Sequence, residues 1–140
     1  MKISTILFFC LLMTACMQTK SFHRTNGWYY VTSQTTDSLS QTPFLTVKDF
    51  DSLRLETDAF GHSVITGVFL QNKSPIWREA TTKSVGKYIA FVFNDTVITA
   101  PQVNSPIESG CFQISNPHGY DLERIFRELQ KEIDISRFGN

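Results

Sequence analysis

Lys87 to Ala100 reads KYIAFVFNDTVITA, and this stretch decides the fold class. Tyr88-Ile89-Ala90-Phe91-Val92-Phe93 is an apolar, β-branched and aromatic run, and Thr96-Val97-Ile98-Thr99 is a second one. Asn94-Asp95 lies between them. Both residue types tolerate the positive φ that a two-residue hairpin turn requires, so the stretch predicts an antiparallel hairpin. Pro101 ends the second strand, because it has no N–H to donate to a ladder. Upstream, Gly86 marks the stop of a helix that opens at Ser74-Pro75, with Ser74 as N-cap and Pro75 at the first helical position. Ile76, Trp77 and Ala80 supply its buried face.

Further out, His62 to Gln71 (HSVITGVFLQ) alternates with period two. Val64, Thr66, Val68 and Leu70 fall on one face, and Ile65 and Phe69 on the other. Gly67 in its middle marks a bulge or a close backbone approach. Phe50 and Leu53, with Val47, sit at helical spacing and predict a short helix over 48–55. Trp28 to Val31, Phe44 to Val47 and Cys111 to Ile114 read as strands, the last entered through Gly110. Thr32 to Thr42 is rich in Ser, Thr and Gln and reads as an exposed loop. Asp121 to Ile135 carries Leu122, Ile125, Phe126, Leu129 and Ile133 on one stripe, an amphipathic helix with Glu123 and Arg127 paired on its outer side. Strands and helices interleave around a central hairpin. The fold class is therefore α+β, a single domain with a largely antiparallel sheet and helices packed on one face.

The chain has 140 residues, 13 Lys+Arg against 13 Asp+Glu, 19% charged and 41% apolar residues. That balance excludes a polybasic nucleic-acid binder, an acidic disordered tail and a multi-span membrane protein. The first residues, MKISTILFFCLLMTAC, place one Lys before an apolar run from Ile6 to Met13, then small residues and a cysteine. The run is too short to span a bilayer and reads as a signal peptide. Met13-Thr14-Ala15-Cys16 resembles a bacterial lipobox, with Met in the place usually held by Leu. The resemblance implies cleavage before Cys16 and acylation of its thiol and new amino terminus. The organisation expected is a signal peptide over 1–15, a lipidated Cys16 with a polar tether over 16–26, and the domain over 27–140. Met17 after the cysteine makes outer-membrane sorting the default. Cys10 leaves with the signal, and Cys111 is then the one thiol of the mature domain, so no intrachain disulfide forms.

Thr82 to Ile114 carries landmarks in a fixed order: Gly86-Lys87, the apolar strand, a two-residue turn, Val97-Ile98-Thr99-Ala100-Pro101, Ile107-Glu108-Ser109-Gly110, then Gln113-Ile114 and a helix. This resembles the head of the first periplasmic domain of SecD/SecDF, a membrane protein that assists protein export. The family usually has Gly where this chain has Asp95. The segment from Phe44 to Ala80 fits the same head more loosely. The resemblance implies the head's fold, with contact to an exported polypeptide as its task. It does not extend to motor activity, which in that family depends on transmembrane helices with ionisable residues.

Chemistry is sparse. His23, His62 and His118 share no metal-ligand spacing and read as surface or loop histidines. Cys111 with His118 is the one nucleophile–base pairing conceivable, and Cys111 sits in a strand where a small buried residue is usual. No phosphate loop, nucleophile elbow or paired-carboxylate motif is present. Asp37-Ser38, Asp51-Ser52 and Asp95-Thr96, each followed by an apolar residue, resemble an O-glycosylation sequon of exported bacterial proteins, with Ser38 the accessible one. Trp28-Tyr29-Tyr30 reads as core on one face, with an exposed aromatic contact patch as the other reading. The function expected is a non-enzymatic, lipid-anchored envelope protein without cofactor or metal. Its partners are an envelope protein or an exported polypeptide, with no nucleic acid. The alternative is a small-molecule or glycan-binding lipoprotein.

Overall fold

A computed structural model describes residues 23–33 and 38–139. In chain order the elements are β1 (Gly27–Tyr30), β2 (Leu45–Thr46), β3 (Phe50–Thr57), β4 (Ser63–Phe69), α1 (Ser74–Lys83), β5 (Ile89–Phe93), β6 (Thr96–Thr99), β7 (Cys111–Ile114) and α2 (Leu122–Phe138). The strands form two sheets, ordered β2-β1-β5-β6 and β3-β4-β7. Every strand pair in both is antiparallel, which makes the protein α+β as its patterning indicates.

The β5–β6 hairpin forms where the sequence places it. Asn94 and Asp95 take φ of 46° and 62°, so both turn residues are left-handed and the strand twist is matched. Gly86 has φ of 78°, and its N–H donates to the Val103 carbonyl as the chain turns from α1 toward β5. All five residues of β5 are buried. A strand flanked by partners on both edges and covered on both faces needs a continuous apolar run, and IAFVF supplies one.

An aromatic seam joins the two sheets. Trp28 of β1 lies 5.1 Å from Trp77 of α1 and 5.4 Å from Phe91 of β5, ring centre to ring centre. Phe112 of β7 lies 4.5 Å from both Phe50 and Phe69. Such pairs add about 0.5–1.5 kcal/mol each beyond the area they bury. Trp77 donates its indole N–H to the Cys111 carbonyl at 3.1 Å. The Trp28 indole N–H is buried without an acceptor among the described residues. Trp28 is 1% exposed and Tyr29 is buried beside it, while Tyr30 is half-buried, so the run is core at its first two residues. α2 closes the fold. Asp121 caps it, its side chain accepting from the Arg124 N–H at 3.0 Å, and Leu122, Ile125, Leu129 and Ile133 enter the core as one stripe. The outer Glu123–Arg127 pair forms at 3.0 Å.

Three local expectations are corrected. The helix predicted over 48–55 is a 3-10 turn at Val47–Asp49 followed by strand β3. The reason is a β-bulge: Phe50 pairs with Phe69 and Ser52 with Val68, so Asp51 is an extra residue. One inserted residue puts Phe50 and Leu53 on the same face three positions apart, which mimics helical spacing. Ser74 is the first residue of α1 rather than its N-cap, because a second 3-10 turn over Gln71–Lys73 runs directly into the helix. Ile76 is 38% exposed, and Thr81 takes the buried place beside Trp77 and Ala80. The Thr81 hydroxyl accepts from the Ile107 N–H at 3.0 Å.

Candidate functional site

The three-stranded sheet buries one face along its whole length and the other only at Val64. Ile65, Gly67 and Phe69 of β4 point inward, with Phe112 and Ile114 of β7. Gly67 is required there. A Cβ on it would lie 2.2 Å from Cζ of Phe112, so the ring occupies the space a side chain would need. From Thr66 onward the opposite face is open. Ser52, Arg54 and Glu56 of β3, Thr66 and Val68 of β4, Cys111 and Gln113 of β7, and Ile107 from the β6–β7 connection line a shallow depression of about 520 Å³. The register aligns them in rows, Ser52–Val68–Cys111 and Arg54–Thr66–Gln113. Val68 is 39% exposed at the centre. The Thr66 hydroxyl donates to Glu56 at 3.1 Å. The face offers a few polar groups, one cation, one anion and small apolar surface.

Cys111 is exposed, against the expectation of a buried small residue. Strand alternation explains it, since Phe112 and Ile114 take the inward positions of β7. No hydrogen bond links Cys111 to His118 among the described residues. His118 lies in the turn after β7, its ring against Tyr120 at 5.9 Å. No group of three or more His, Cys, Asp or Glu among the described residues is placed to hold a metal ion. Of the aromatic run that would line a glycan or small-molecule site, Trp28 and Tyr29 are buried and Tyr30 is half-buried against Phe44.

Each long hairpin carries an aspartate held below the usual carboxylate pKa of 3.8. The Asp58 side chain accepts from the backbone N–H groups of Phe60 and His62, and the His62 bond is the main cause. Asp95 is lowered mainly by the His23 side chain, Nδ1 to Oδ2 2.7 Å, and then by the Arg24 backbone N–H. Asn26 adds to this second cluster, accepting from the Asn94 N–H at 2.8 Å and donating to Glu132 at 2.9 Å. The result is a latch holding residues 23–26 on the β5–β6 turn. A pair 72 positions apart leaves no local signal, so the sequence reading missed the latch. It also missed the open face, whose members come from three strands. The alternation of Thr66 and Val68 was its single visible trace.

Cys16, the signal peptide over 1–15 and residues 16–22 of the tether lie outside the described residues. Ser38 is half-buried, and Ser52 and Thr96 are exposed. No helix among the described residues is long and apolar enough to cross a membrane.

Comparison with known proteins points the same way as the sheet topology. The SecD protein translocase subunit of Acidaminococcus fermentans is 34% identical over 71 residues, covering 51% of this chain and 17% of SecD. A crystal structure of SecDF in a super-membrane-facing form matches with a TM-score of 0.54 and 28% identity, over 59% of this chain and 11% of that one. A second solved SecDF, described as a membrane component that enhances protein export, matches in fold with a TM-score of 0.57 at 24% identity. That match covers 74% of this chain and 44% of that one. The chain therefore spans a minor part of each relative. The family model for the SecDF P1 head subdomain matches residues 23–119, and with the strand order and the shared landmarks this makes the chain a member of the SecDF P1 head family.

Proposed function

We propose that this chain is a non-enzymatic, lipid-anchored protein of the bacterial cell envelope, tied to the outer membrane through Cys16, whose head domain contacts polypeptides during export or envelope assembly. The observation that carries the reading is the open face of β3-β4-β7. It is broad and shallow, its charges are the opposed pair Arg54 and Glu56, and it is borne on a head whose relatives include a SecDF described as enhancing protein export. A shallow face of this kind, flanked by ordered strands, suits transient contact with many sequences better than a deep pocket would. The lipobox-like Met13-Thr14-Ala15-Cys16 supports the anchor, since two or more acyl chains anchor a protein stably on a bilayer.

The test is a photo-reactive residue at Val68 or Gln113 of the full chain in living cells. Adducts with exported or envelope polypeptides are expected there, and not from the same probe at Lys131 on α2. Equal yields at the three positions would overturn the contact. Cys16→Ser should abolish fatty-acid labelling and membrane retention, and a labelled, membrane-bound Cys16→Ser product would overturn the anchor.

A further inference from the structure

The two sheets end in edges of different kinds. β2 has two residues, and β6 and β7 have four each. The β7 edge is engaged besides, with Trp77 on the Cys111 carbonyl and Thr99 bonded to Ser115 at 2.6 Å. β3 has eight residues and no strand on its outer side among the described residues. A long free edge is a template for another strand unless something blocks it.

The free stretch has defined limits. At one end Arg137 of α2 donates to the Phe50 and Asp51 carbonyls at 2.8 and 2.6 Å. At the other the hairpin closes, with the Asp58 N–H on the His62 carbonyl at 2.8 Å. Alternation from that bond turns Glu56, Arg54 and Ser52 toward β4. It leaves the N–H and C=O groups of Leu53, Leu55 and Thr57 directed outward. The open stretch is centred on Leu55.

That stretch is self-complementary. We propose that two copies of this chain pair β3 to β3, antiparallel about Leu55, to form one continuous six-stranded sheet. In this register Leu55 meets Leu55 of the second copy, and Leu53 meets Thr57. Arg54 stands directly opposite Glu56, twice, at the narrow non-hydrogen-bonded positions where cross-strand side chains are closest. Arg54 has no ion pair among the described residues, so the second copy supplies its carboxylate. Leu55, 38% exposed in the single chain, is covered by its counterpart. An apolar guest strand would give Arg54 and Glu56 no opposite charge, and this favours a second copy over an unrelated strand. The same operation carries the exposed Phe60 of one copy to the Arg137–Phe138 end of the other. A five-residue ladder is smaller than the interfaces of stable dimers, so pairing depends on local concentration.

The experiment uses the full chain in its native membrane with Cys111→Ser. Leu55→Cys should form a disulfide-linked dimer on mild oxidation, because Cα atoms of a hydrogen-bonded antiparallel pair lie about 5.5 Å apart, within disulfide reach. Thr57→Cys, which would face Leu53 and not itself, should not. Adding Arg54→Glu or Glu56→Arg to Leu55→Cys replaces two attractive pairs by two repulsive ones and should lower the linked fraction about tenfold or more. The two reversals together should restore it. Both are exposed substitutions, and unchanged thermal unfolding of each variant confirms that the fold is intact. Absence of the Leu55→Cys dimer, linkage to a different protein, equal linkage at Thr57→Cys, or failure of the double reversal to restore linkage would each overturn the pairing.

Discussion

The two sheets share a core and differ in what they leave uncovered. In β2-β1-β5-β6 the middle strand β5 is buried along its whole length, and the neighbouring β1 brings Trp28 and Tyr29 inside. In β3-β4-β7 the middle strand β4 turns Ile65 and Phe69 inward and leaves Val68 in solvent. A strand buried on both faces holds a fold together, and one buried on a single face also presents a surface. The first sheet is therefore the frame, and the second, whose strands β3 and β4 pack against α2, is the one that also presents a surface.

The largest effect that should separate the sheets is a truncation at the centre of each. Phe91→Ala removes a ring lying 5.4 Å from Trp28 and 6.2 Å from Phe50 and should cost about 3–5 kcal/mol in denaturant unfolding. Val68→Thr on the open face should stay within about 0.5 kcal/mol. Similar losses at both sites would end the distinction between frame and surface. Next in size is Gly67→Ala, which drives a methyl group into the Phe112 ring and should cost about 1–3 kcal/mol. Phe112→Leu in the same chain should return part of that loss, and a strictly additive double variant would place the strain elsewhere.

The smallest effect concerns the two turn aspartates. A carboxyl with a lowered folded-state pKa contributes stability above its ordinary value of 3.8, and loses it as pH falls through the lower folded value. Acid should therefore weaken both turns, with different consequences. Asp58 bonds within its own hairpin, whereas Asp95 holds His23 and Arg24. Protection of the Arg24 amide, measured against its intrinsic exchange rate at each pH, should fall in the native chain as pH drops below 3.8. In Asp95→Asn that dependence should be absent, while Asp58→Asn should leave it in place. The same acid response in all three would show that the latch is not electrostatic.

The Lys87–Ala100 hairpin, the amphipathic stripe of α2 and the special role of Gly67 were all legible in the sequence. Each rests on signals a few residues apart: a left-handed turn pair, a repeating stripe, a glycine inside a strand. β3 was misread for a reason equally local, since a bulge changes a period of two into a spacing of three and no residue type announces it. The side on which Cys111 lies could not be read from a four-residue strand, because alternation gives two faces without saying which is inside.

Local chemistry in the chain thus sufficed for the element types outside β3, the hairpin and the resemblance to the SecD head. Assembly alone decided that the strands divide into two sheets and that the aromatic residues form the seam between them. It also decided that one face and one edge of β3-β4-β7 stay open. Backbone preferences act over a few residues and are written in consecutive positions. Which surfaces are left over after packing depends on every other element at once.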